Sequence, residues 1–138
     1  MIDAQQIARV QDSFLDVLPI PDTAAAAFYD RLFQAAPETR RLFKSDMREQ
    51  GRKLVMTLAA VVDGLDRLHA ILPVARELAI RHVRYGVVDR HYALVGSALI
   101  ETLRALLGPK FDRETEAAWG AAYTLLSDAM IAATRKAA

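Results

Sequence analysis

From Asp3 to about Thr134 the apolar residues recur every three or four positions, and no stretch sustains a period of two. That spacing stacks them on one face of a helix, whereas strands need alternation, so the chain predicts an all-α fold. Ile7, Val10, Phe14 and Leu18 keep one face of a first helix apolar. Asp3 is placed to cap that helix, and Pro19 with Pro21 to stop it. A second helix, TAAAAFYDRLFQAA, is expected to be capped by Asp22 and to end where Pro37 opens a short turn toward Phe43. KSDMRE reads as a polar loop. After it, QGRKLVMTLAAVVDG gives a long helix with Leu54, Leu58 and Val61 on one side and Gly64 as its C-cap. Pro73 suits the first turn of the next helix, which carries His82 and stops at Gly86. A helix from about Arg90 to Leu107 closes at Gly108 and Pro109, and Asp112 caps a last one. Six or seven helices with short connections, no repeat and no linker make a single domain over residues 1–138.

Length and composition narrow the function. The 138 residues suffice for one substantial core and leave no room for a second catalytic domain. Eighteen Lys and Arg against seventeen Asp and Glu, spread along the chain, leave a formal net charge of +1 and no basic footprint for nucleic acid. The lack of Cys excludes disulfides and thiolate chemistry. No apolar run reaches the ~20 residues of a membrane helix, and MIDAQQIARVQD lacks the layout of a signal peptide, so a cytoplasmic protein is expected. The six glycines form neither GxGxxG nor a P-loop. HExxH and GxSxG are also missing, and the three His have no zinc-ligand spacing.

What remains is His82 in ELAIRHVRYG, which shares a helix face with Leu78 and Tyr85. A lone imidazole on an apolar face is commonly a core filler. Two other polar groups stand on apolar helical stripes elsewhere: Gln50, ahead of Leu54 and Leu58, and Tyr29 within AFYDRLF. The residues alone leave both readings open.

Taken together, FYDRLFQAAPETRRLF, QGRKLVMTLAAVVDGLDRL, ILPVARELAIRHVRYGV, HYALVGSALIETLRALLG and AAWGAAYTLLSDAM resemble, in order and spacing, a bacterial single-domain haemoglobin. The likeness extends to the haem domains of flavohaemoglobins and runs from about Ile7 to Ala132. It implies a globin fold of six to seven helices around one haem b. His82 then matches the proximal iron ligand, and Phe43 the aromatic wedged against the porphyrin. Tyr29 and Gln50 match the distal polar pair, Leu54 the residue shaping the ligand space, and Tyr92 the tyrosine behind the proximal imidazole. Leu58, Arg81 and Tyr123 complete the expected pocket, with Arg81 either near a propionate or solvated. His69 and His91 are expected at the surface or in loops, and Trp119 in the core.

The implied function is reversible binding of dioxygen, carbon monoxide and nitric oxide at a pentacoordinate ferrous iron. A charge-assisted bond from Tyr29 or Gln50 to a polar bound ligand would contribute about 1.5–3 kcal/mol, ten- to hundredfold in residence time. With no His at position 50, a bis-histidine resting state is not expected, whereas a Tyr29 phenolate on ferric iron at high pH is a testable alternative. The chain departs from the flavohaemoglobin pattern where Thr134 replaces a glutamate of the proximal network. That departure, and the lack of a fused reductase, weaken the alternative reading as a nitric oxide dioxygenase, which would need an external reductase. A third reading is a haem-free helical regulatory module.

Overall fold

The computed structural model describes residues 2–44 and 46–137. Six α-helices account for most of them: α1 Ala4–Phe14, α2 Pro21–Ala35, α3 Met47–Asp63, α4 Leu68–Tyr85, α5 Asp89–Leu107 and α6 Arg113–Ala137. Two short 3-10 segments, Pro37–Leu42 and Gly108–Lys110, join α2 to α3 and α5 to α6. No strand occurs among the described residues.

The helix ends show which local signals hold. Asp3 caps α1, accepting from the Gln6 N–H at 2.8 Å while the Gln6 side chain accepts from the Asp3 N–H. Asp112 caps α6 by accepting from the Thr115 N–H at 2.8 Å. Gly86 closes α4 with φ 95°, a left-handed conformation that glycine adopts without Cβ strain. Elsewhere the boundaries move. α1 stops at Phe14, before the proline pair, and Leu18 is exposed in the turn that follows. Ile20, not Asp22, occupies the cap position of α2, because Pro21 itself starts the helix with its φ already fixed. Asp22 lies in the first turn, 3.6 Å from both Arg48 and Arg52 of α3. The expected KSDMRE loop is already helical at Met47, capped by Asp46 through the Arg48 N–H, and its Ser45 lies outside the described residues. Pro73 sits inside α4, past its first turn. The bond its nitrogen cannot make belongs to the carbonyl of His69, an exposed residue, so no polar group is stranded in the core.

Packing is built around α2 and α6. α2 carries α3 and α5, while α6 carries α1, α4 and α5. Val10, Phe14, Phe28, Leu32, Leu103 and Trp119 fill the main core, where Phe14 and Trp119 stand 6.0 Å apart and the Trp119 indole donates to Ser13 Oγ at 2.8 Å. At Gly51 the backbone of α3 meets α2 so closely that a Cβ would lie 2.7 Å from Ala25 Cβ. A smaller cluster of Ala75, Ala79, Tyr92 and Met130 fixes α4. Small residues at 75 and 79 let α4 settle on α6. α3 and α4 thus pack on different partners and barely touch each other.

Candidate functional site

The candidate residues fall into two groups, one on α3 with its connector and α2, the other on α4, and these two helices pack on different partners. On the α3 side, Gln50 and Leu54 sit on one flank of the helix and Leu58 beside them. Gln50, Leu54 and Leu58 are half-buried, the two leucines against the main core. Tyr29 reaches the same region from α2. It is buried, and its hydroxyl donates to the Gln50 backbone carbonyl over a long 3.4 Å. The expected distal pair is therefore adjacent, linked through the backbone of Gln50. Phe43, from the connector ahead of α3, meets the Tyr29 ring edge-on at 5.1 Å, and Phe33 stacks on Tyr29 at 5.8 Å. Phe33 was not singled out from the sequence, although its spacing of four from Tyr29 was the available signal.

On the α4 side, His82 is half-buried, its ring parallel to that of Tyr92 with centroids 6.3 Å apart. Its Nδ1 is sealed from solvent without a hydrogen bond of good geometry. Burial is the main effect and lowers the imidazole pKa. The Leu78 carbonyl one turn back pulls the other way, and the Arg81 charge lowers it further. The ring is thus neutral at pH 7, the form that ligates metals. Leu78 lies beside it, half-buried, while Tyr85 is 58% exposed. Arg81 is exposed and pairs with Glu77 at 3.7 Å.

Behind His82, Tyr92 is buried and its hydroxyl has no hydrogen-bond partner. Tyr123, half-buried, donates instead to the Tyr92 backbone carbonyl at 2.5 Å, with its ring against Gly96. Thr134 lines, with Tyr92, Val83, Val87 and Arg90, an open cleft of about 480 Å³. Its hydroxyl is engaged with its own helix, donating to the Ile131 carbonyl at 2.7 Å. No carboxylate serves the Tyr92 hydroxyl or His82 Nδ1 among the described residues.

One expectation fails. His91 is neither surface nor loop: it is 4% exposed, and its Nδ1 accepts from the Val88 N–H at 2.9 Å, securing the start of α5. Its proximity to that helix end was not readable from a sequence where it follows two charged residues. His69 is exposed, as expected. No group of three or more His, Asp or Glu could hold a metal among the described residues. No helix is long and apolar enough to cross a membrane, again among those residues.

The fit of a flat cofactor to these residues is tested by their side chains. Leu54 and Phe43 on the α3 side and Leu78 on the α4 side are apolar and only part-buried. Most large exposed apolar side chains also gather on α4 and the turn after it, among them Leu72, Val74, Val83, Tyr85 and Val88. Such part-buried apolar side chains could cover the faces of a porphyrin, and the neutral imidazole of His82 could hold its iron.

Comparison with known proteins agrees. A family model of globins matches residues 26–130. The chain is 36% identical to a flavohemoprotein of Bordetella parapertussis over 111 residues, 78% of this chain and 28% of that one. It is 32% identical to a flavohemoprotein of Vibrio cholerae over 121 residues, covering 83% of this chain and 31% of that one. It thus spans under a third of the length of these relatives. Among solved structures, a bacterial globin of Campylobacter jejuni superposes with a TM-score of 0.85 at 26% identity, covering 97% of both chains. An engineered carbene transferase made from a proposed nitric oxide dioxygenase of Rhodothermus marinus superposes with a TM-score of 0.86 at 28% identity, over 96% of this chain and 92% of that one. The chain belongs to the globin family.

Proposed function

We propose that the protein holds haem b between α3 and α4 and binds dioxygen, carbon monoxide and nitric oxide reversibly. The observation that carries this reading is the separation of two helices with apolar flanks, a neutral His82 on one and Gln50 on the other beside Tyr29. Bound there, haem supplies a ferrous iron with one open position. His82 would hold the metal through Nε2, its Nδ1 facing the Leu78 carbonyl. Phe43, Leu54 and Leu58 would exclude water and wedge the ring, and Arg81 would stand at its edge. Tyr92 and Tyr123 support the imidazole from behind.

Tyr29 is the distal donor. Burial raises its pKa to about 12, so it keeps its proton at any physiological pH. Its bond to the Gln50 carbonyl is near the limit of hydrogen-bond length, so turning toward a polar ligand forfeits little. Absorption spectra of the ferric, ferrous, oxygen- and carbon monoxide-treated protein test the reading beside His82→Ala. We expect a stable oxygenated spectrum that the variant loses. No haem band, or one indifferent to the substitution, would leave His82 a core residue and favour a haem-free helical module.

A nitric oxide dioxygenase is the second reading, supported by the likeness to flavohemoproteins and to the Rhodothermus marinus protein. Electrons would then come from outside these 138 residues. The proximal side argues for binding instead, since Thr134 turns to its own helix and Tyr92 lacks an acceptor. Nitrate production with an added reductase separates the two. Sustained turnover supports the enzyme, and a single stoichiometric burst supports the binder.

A further inference from the structure

Charge that is interspersed along the chain is segregated in the fold. Residues 40–53 hold six Lys and Arg against two Asp and Glu, and residues 76–90 hold four against two. These 29 residues carry +6 in a chain of net +1, so the remainder carries −5. The two segments are the connector with the first half of α3, and the second half of α4 with the turn after it. They meet where a Cβ on Gly86 would lie 3.6 Å from Leu42 Cδ2. Arg90 and Arg41 converge there too: burial is the main effect lowering the His91 pKa, both guanidinium charges lower it further, and Glu38 pulls it upward. Arg41, Lys44, Lys53, Arg84 and Arg90 are exposed, and none is within ion-pair distance of an acid among the described residues. Between them Tyr85 and Val88 are half or more exposed. Exposed apolar side chains beside an excess of positive charge suit a transient contact rather than a permanent one.

We propose that this face docks an acidic one-electron carrier protein, one whose clustered Asp and Glu surround a flavin or iron–sulfur centre, and that it is the port through which the site is reduced. The proposal rests on the haem reading. In each encounter the carrier is oxidised by one electron and ferric iron becomes ferrous, with no bond made or broken. The excess of unpaired cations attracts such a surface from several ångströms away, and the attraction shortens with salt.

The test is stopped-flow reduction of the haem-loaded ferric protein by an acidic flavodoxin-type carrier, by a basic carrier and by neutral reduced riboflavin, with carbon monoxide trapping the product. For the acidic carrier the rate should fall about tenfold between 20 and 300 mM salt, and about tenfold again at low salt in Lys44→Glu/Arg84→Glu. Riboflavin should reduce wild type and variant alike. An acidic carrier no faster than a basic one, or a rate indifferent to charge reversal, overturns the docking face while riboflavin reduction and the carbon monoxide spectrum leave the haem reading intact. A chain that takes up no haem overturns both. Charge-reversal-sensitive binding to phosphatidylserine vesicles or to an oligonucleotide, tighter than to the carrier, would also overturn the proposal and reassign the face.

Discussion

Tyr29 shows how one side chain can be tuned by burial alone. Its phenol is enclosed by Phe28, Phe33 and Phe43, and desolvation raises its pKa to about 12 against the ordinary 10. A raised pKa means that the unfolded chain gives up this proton first. Tyr29 therefore adds stability in full below about pH 10 and loses it as pH climbs toward 12. Burial also holds up Tyr92 and Tyr123, so tyrosinate absorbance should show a fraction titrating well above pH 10 that shrinks by one phenol in Tyr29→Phe; a single transition near pH 10 would refute the enclosed phenol. Glycines give a second residue-scale contrast. Gly51→Ala drives a Cβ into Ala25 and should cost about 1–3 kcal/mol in urea unfolding, whereas Gly120→Ala meets nothing within 4 Å and should gain about 0.5–1 kcal/mol by stiffening α6. If the two shift stability alike, the close crossing of α2 and α3 is wrong.

At the level of elements, the ends that the sequence announces correctly are those set by one residue acting locally. Asp3 and Asp112 each bond an N–H three residues on, and Gly86 takes a backbone angle that other residues avoid. Gly86→Ala should therefore cost about 1 kcal/mol and loosen the α4 terminus, seen as faster amide exchange at Gly86 and Val87. Ends that depend on the tertiary setting were less readable. Pro73 is admitted inside α4 because the carbonyl it deprives belongs to an exposed turn, and Met47 is recruited into α3 by a cap at Asp46 hidden in a polar string. His91 likewise looked like surface by its charged neighbours, yet it folds back on the N–H of Val88. For the site, helical spacing could align Leu54 with Gln50 and Leu78 with His82, because both lie on single helices. It could not bring Tyr29 from α2 to the Gln50 carbonyl, nor set Thr134 beside Tyr92; resemblance to globins supplied those placements.

For the whole molecule, the consequence of α3 and α4 packing on different partners concerns cooperativity. α4 is tied down mainly along a strip of small side chains, Ala75 and Ala79, laid on α6 around Met130 and Tyr92. The opposite flank of α4 has no protein neighbour of comparable extent. With haem bound as proposed, the local stability of α4 would rise with its occupancy, through the linkage that lets any ligand of the native state stabilise it by RT ln(1 + [L]/Kd). Gain and loss of colour, melting of one helix and exposure to proteases should move as a single equilibrium, with cleavage falling first between Leu68 and Tyr85.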